Sequence, residues 1–258
     1  MNYEWYSRVR DMARFSMREK SELLIASIIF GFILSFKMWG GESFNATIGL
    51  TNWLIITIFV IVLLVWDGFF QKVFSLWVGY KTHLNFWFPG ILTGLFITFI
   101  TLGTVPVIFP NMSYYDHNER LRLGHFRYGI NTKDLVLPAV AGVSANLFMA
   151  LFMSFFYVAT QSNWFLIFIK VSFLYTFFSM LPIPKIAGTK LGDGATAGFY
   201  MFFYKRQLFV FMFVSMIIYA ILIWFSATIA MSFWLLILSL IIGLIAMFIF
   251  LRVSEEVI

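Results

Sequence analysis

The sequence predicts an all-α polytopic membrane protein, with about six transmembrane helices plus one re-entrant or extended segment. Three observations lead there: the composition, apolar runs of crossing length, and the placement of the cations. The chain is 61% hydrophobic and 12% charged over 258 residues, with a mean hydropathy of +0.89. Soluble domains carry about 45–50% apolar and about 25% charged residues. One core of this size cannot hide the excess apolar surface, so it must face lipid. The 34 Phe suit such a surface. Cysteine is absent, which excludes a disulfide framework and any Cys-ligated metal.

The elements follow in chain order. Residues 1–20 are basic, with Arg8, Arg10, Arg14, Arg18 and Lys20. Trp5, Val9, Met12 and Ser16 fall on one helical face, with Arg8, Arg14 and Arg18 off it. This suits an interfacial helix on anionic lipid; a basic signal that only sets topology is the other reading. A single membrane domain, 21–251, comes next. Runs of about 20 apolar residues cross about 30 Å of hydrocarbon. The runs are Ser21–Trp39, Thr51–Val78, Asp134–Ala159, Asn163–Leu181, Gln207–Phe225 and Ala227–Leu251. No A-x-A-like cleavage site follows the first, so it reads as a helix and not a signal peptide. A further apolar run, Phe86–Phe109, is interrupted by Pro89, Gly90, Gly94, Gly103 and Pro106, which break regular structure. The polar stretch Asn111–Lys133 is predicted as a loop too short to fold alone, and 252–258 as a short cytoplasmic tail.

Charge decides how Phe86–Phe109 is used. If it crosses, the N-terminal cations lie opposite Arg120, Arg122, Arg127, Lys133, Lys185, Lys190, Lys205 and Arg206. If it enters and leaves by one face, all of these share a side with Lys81 and Arg252. The other side then keeps Lys37 near its rim, and the links around Ser162 and Ser226 carry no charge. The positive-inside rule favours the second arrangement, with both termini cytoplasmic. A seventh helix with a weaker charge bias is the alternative. Non-helical backbone at membrane depth must be covered by protein or line a water-filled cavity, so a re-entrant 86–109 implies that the other helices enclose something.

Polar residues inside apolar spans are costly and so are candidate functional positions. Asp67 is the acidic residue deep in a span, and Gln71, four residues on, shares its helix face. Lys72 follows and is expected to snorkel to the interface; Lys170 is a further charge within a span, for which pairing or snorkelling suffices. Asn146 closes Ala141-Gly142-Val143-Ser144-Ala145-Asn146, a stretch of small residues that also permits close helix packing. The run Leu181-Pro182-Ile183-Pro184-Lys185-Ile186-Ala187-Gly188 ends the preceding helix and holds the chain extended.

A polar helix, then A-G-x-x-A-N, then P-x-P-x-x-x-G, in that order, resembles the archaeal and bacterial form of the site-2 protease family of intramembrane zinc metalloproteases. Lys72 and Gly79-Tyr80 match the flank of the family's H-E-x-x-H helix. Ala141-Gly142 and Ala145-Asn146 match its second motif, and Pro182, Pro184 and Gly188 its third. Phe15 to Glu19 also looks like the archaeal branch, and the resemblance runs from about Phe15 to Tyr200. It implies a site-2-protease-like core with Asn146, Pro182, Pro184 and Gly188 lining a substrate cleft.

The resemblance also implies a zinc ion held by two His and an Asp, with a Glu as general base. In register, Asp67 stands for the first His, Gly68 for the Glu, Gln71 for the second His and Ala187 for the Asp. All four are replaced, so no catalytic residue is intact and no cofactor is expected. Asp67 alone is a plausible ligand, and Asp193 could bend back towards it. Val143 and Leu181 depart from the second and third motifs. His83, His117 and His125 are placed outside the spans. Tyr115-Asp116 and Gly192-Asp193 give only half an aspartyl-protease pattern, and Ser144 has no intramembrane His for serine chemistry.

The expected function is therefore a catalytically inactive pseudoprotease in the cell membrane that binds or regulates transmembrane clients. The alternative is an active intramembrane metalloprotease with a divergent metal site that does use zinc. A transport or structural membrane protein, with Asp67 and Gln71 lining a polar path, is a third class. The expected partners are membrane lipid and the transmembrane segments of client proteins, with no nucleic acid.

Overall fold

A computed structural model describes residues 2–40, 44–117, 131–185, 194–225 and 232–255. The described residues form a mostly helical protein with a small antiparallel sheet. In chain order they are α1 (Asn2–Met12), α2 (Met17–Ser35), α3 (Ala46–Val78), β1 (Tyr80–Asn85), α4 (Phe88–Ile100), β2 (Met112–His117), α5 (Val136–Thr160), α6 (Asn163–Met180), α7 (Ala197–Tyr204), α8 (Arg206–Phe225) and α9 (Ser232–Glu255). Among the described residues six helices are long and apolar enough to cross a membrane: α2 with the turn to Met38, α3, α5, α6, α8 and α9. The chain is an integral membrane protein.

Local chemistry sets the helix ends. Ser16 and Glu19 form a reciprocal capping box at the start of α2. Asn45 caps α3 through the N–H groups of Thr47 and Ile48, so α3 starts five residues before the predicted Thr51. Gly79 ends α3 at φ +95, a backbone conformation open to glycine, and turns the chain into β1. Prolines 182 and 184 keep the chain extended after α6. Ser16 belongs to α2 and not to the face of α1 predicted from its spacing. Trp5 of α1 packs edge-on against Trp77 of α3, with ring centroids 5.3 Å apart, so part of the apolar side of α1 rests on protein.

The segment after β1 behaves differently from the spans. Helix α4 has 13 residues, about 20 Å, short of the about 30 Å of hydrocarbon. The β1–β2 ladder pairs Asn85 with Met112, so the chain from Phe86 to Asn111 leaves and returns at one place. The predicted loop Asn111–Lys133 is corrected in its first part: 112–117 is strand β2, because Ser113 to His117 find backbone partners in β1. The sheet is extended by single pairings of Ser113 with Ala195 and of Ala195 with Pro184. The apolar core centres on Phe30, Leu63, Ile91, Ile108 and Phe168, with a second cluster around Tyr115, Met180, Tyr200, Met201 and Met216.

Candidate functional site

Four elements bring polar side chains together inside this bundle. Helix α3 contributes Asp67 and Gln71 on one face, as their i, i+4 spacing requires. Gln71 Nε2 donates to Asp67 Oδ2 at 3.1 Å. Helix α6 contributes Tyr175, whose hydroxyl donates to the same oxygen at 2.8 Å and lies 2.7 Å from Asn111 Oδ1. The other end of Gln71 is also engaged, since Ser113 Oγ donates to Gln71 Oε1. Tyr200 of α7 donates to the Ser113 carbonyl at 2.6 Å. Asp67 is fully buried, and Gln71, Asn111, Ser113 and Tyr175 are 1–3% exposed.

Helix α5 completes the wall. A methyl built on Gly142 would overlap Asp67 Oδ1 and stand 2.8 Å from Gln71 Cγ, so this glycine permits the close approach of α5 to the network. One turn on, Asn146 is fully buried, and its side-chain amide has no hydrogen-bond partner among the described residues. Asp67 Oδ1 is likewise unpartnered there. The Asn146 carbonyl accepts from Ser172 Oγ at 3.0 Å, and the Ala145 carbonyl from Trp66 Nε1 at 3.0 Å. The A-G-x-x-A-N stretch thus serves close packing of α5 against α3 and α6.

Beside the network, Lys72 does not snorkel as predicted. It is 3% exposed, and Nζ donates to both oxygens of Glu19, at 2.8 and 2.9 Å, and to the Arg14 carbonyl at 3.3 Å. Glu19 also accepts from the Ser16 and Leu84 N–H groups, at 2.7 and 2.9 Å. A buried charge is tolerated when paired and hydrogen-bonded in this way. Lys170 is exposed and sits 4.5 Å from the Trp224 ring, a cation–π contact at the opposite end of the bundle.

On the sheet, His83 stacks on Tyr114 with centroids 4.8 Å apart and approaches Asp116 at 3.5 Å. Burial and the nearby Lys81 hold its imidazole below the ordinary pKa. Burial pushes the Tyr115 and Tyr200 phenols up. The extended segment after α6 is open to its surroundings: Pro182 and Pro184 are exposed. Lys185 N–H donates to the Gly194 carbonyl, and the Ile183 carbonyl accepts from Thr196 N–H. Pro184 therefore turns its carbonyl to the free edge and has no N–H to offer.

The chain matches no family model, no curated protein and no solved structure. The site's chemistry is accordingly judged on its own donors. Zinc, which the sequence resemblance implies, does not fit them. Asp67 offers one carboxyl, and Gln71 is a neutral amide engaged at both ends; zinc takes about three N, O or S ligands from protein at a catalytic site. No side chain could stand at position 68 without displacement, because Leu84 and Phe15 fill the space over Gly68. Among the described residues no three His, Asp or Glu side chains converge. Ala187, Gly188, Asp193 and His125 lie outside the described residues.

Four members of the network were not foreseen from the sequence: Asn111, Ser113, Tyr175 and Tyr200. Tyr175 had a signal. Ser172, Tyr175, Thr176 and Ser179 recur at i, i+3, i+4 and i+7 in an otherwise apolar helix, and all four are buried. Such a polar stripe marks the face turned to protein. Asn111 and Ser113 had none, since nothing in a polar stretch indicates that it returns to the core.

Proposed function

We propose that this chain is a site-2-protease-like membrane protein of the archaeal type, catalytically silent, that holds or regulates transmembrane segments of client proteins. The observation that carries the reading is the hydrogen-bonded side-chain network at Asp67 and Gln71, where the resemblance implies a metal. A carboxyl oxygen, an amide, a phenol and a hydroxyl are hydrogen-bonded to one another there, and Gly68 supplies no base. Water activation by a metalloprotease needs a metal with an open position and a positioned general base; this donor set offers one carboxyl, Asp67, whose Oδ2 is held by Tyr175 and Gln71.

The frame around the network supports the binding half of the proposal. Phe86–Asn111 is read as a re-entrant segment, since α4 is short and its flanks pair with each other. With six crossings the termini share a face, which the cation distribution makes cytoplasmic. The exposed Pro182–Pro184 segment is the candidate cleft edge. An unwound client segment could donate N–H groups to its carbonyls, and strand addition of this kind does not depend on a metal.

The test is a photo-crosslinker at Pro184 in cells, with Trp234 on the exposed face of α9 as the control position. The expected result is adducts at Pro184 that map within transmembrane segments of a small set of proteins and are absent at Trp234. No adduct at Pro184, or the same adducts at both positions, would overturn the reading.

A further inference from the structure

The spans Arg206–Trp224 and Ser232–Ser254 leave the membrane at a shared end, where the start of α8 meets the last turns of α9. A cleft of about 640 Å³ lies there, lined by the polar Tyr204, Lys205, Arg206, Gln207 and Ser254 together with the apolar Leu208, Met247 and Phe250. We propose that this cleft binds the phosphate-bearing headgroup of an anionic lipid, with the upper part of an acyl chain against Met247 and Phe250.

The charges support this. Lys205, Arg206 and Gln207 are exposed, and neither cation is in an ion pair among the described residues. The Arg206 guanidinium stands 5.9 Å from the Phe202 ring, a contact that leaves its N–H donors free for oxygen. The cleft also lies at the positive dipole end of α8, a helix of 20 residues. Basic pockets between membrane helices recognise anionic headgroups through these interactions.

Shape selects the lipid over a free anion. Inorganic phosphate has no use for Leu208, Met247 and Phe250, whereas an amphiphile uses polar and apolar lining together at the depth where headgroup meets chain. Helices α8 and α9 are packed closely along their length, Gly243 lying against Ser215, so the cleft is a local opening at the ends of a tight pair.

The experiment uses the full chain in neutral detergent, titrated by native mass spectrometry with dioctanoyl phosphatidylglycerol, dioctanoyl phosphatidylcholine and inorganic phosphate. The expected result is preferential binding of the anionic lipid. Lys205→Gln/Arg206→Gln weakens it about 30-fold, at about a tenfold factor per 1.4 kcal/mol and about 1 kcal/mol per cation. The charge-matched control Lys81→Gln/Lys133→Gln, at exposed positions away from the cleft, keeps wild-type binding. Met247→Trp, which puts a larger side chain at the apolar lining, also weakens the lipid. Equal binding of the two lipids, or equal loss in the control, overturns the proposal. Inorganic phosphate binding as tightly as the lipid and unaffected by Met247→Trp assigns the cleft to a free anion and also overturns it.

Discussion

Gly142→Ala is the sharpest test of the buried network. The added methyl would overlap Asp67 Oδ1 and stand 2.8 Å from Gln71 Cγ and 2.9 Å from Gln71 Nε2. Either α5 backs away from α3, or the Asp67 carboxyl turns and loses bonds to Tyr175 and Gln71. Overpacking a tight core costs about 1–3 kcal/mol, and leaving a buried polar group without its partner costs about 1–3 kcal/mol. Together they give a loss of about 2–6 kcal/mol. The assay is reversible denaturant unfolding in detergent micelles, followed by near-UV circular dichroism. The same substitution made in an Asp67→Ala/Gln71→Ala background meets an emptied space and should cost under about 1 kcal/mol. The non-additivity is the measurement. Equal costs in the two backgrounds would show that the methyl does not meet these side chains, and the network as described would be wrong.

Two further perturbations address neighbouring claims. Lys72→Met strands the Glu19 carboxylate in a site where the pair is about 5% exposed; breaking a buried pair costs about 3–5 kcal/mol, and Glu19→Gln/Lys72→Met should return at least about half of it in the same unfolding assay. A surface pair would lose under about 1 kcal/mol, and that result would refute the burial. Elemental analysis of the detergent-purified chain should find well under one zinc per chain, unchanged in Asp67→Ala. About one zinc per chain, lost in Asp67→Ala, would mean a rebuilt metal site and would overturn the silent reading.

Much of the architecture was legible because membrane spans follow from run length alone. The α6 and α8 boundaries fall within a residue of those predicted from the apolar runs, since Ser162, Pro182 and the Lys205–Arg206 pair punctuate them. The Asp67–Gln71 contact followed from helical periodicity. What was not legible depended on long-range partners. Lys72 was expected at the interface because the partner that holds it, Glu19, lies 53 residues away on another helix. The strand Met112–His117 was hidden in a polar stretch because its pairing with β1 is set by where α4 returns the chain. Asn111 and Ser113 reach the network only through that return.

The network also explains how a buried centre and an exposed edge are connected. Gln71, held by Asp67 one turn away on α3, accepts from Ser113 Oγ. The backbone of Ser113 pairs with Ala195 through two hydrogen bonds, at 3.0 and 3.2 Å, and Ala195 in turn pairs with Pro184. Directed bonds run from Gln71 through Ser113 to Ala195, and the flanking Lys185–Gly194 and Ile183–Thr196 bonds fix Pro184 beside it, so the position of the proline edge is referred back to α3. Apolar packing alone is non-directional and would leave an extended segment of this kind free to slide in register. The polar side chains of this network therefore have a structural role, because they set the register of the strand array that carries Pro184. If Pro184 lies on a client-binding edge, as proposed, Asp67 and Gln71 anchor that edge, and their loss should be felt first in crosslinking at Pro184, before any change in helix content.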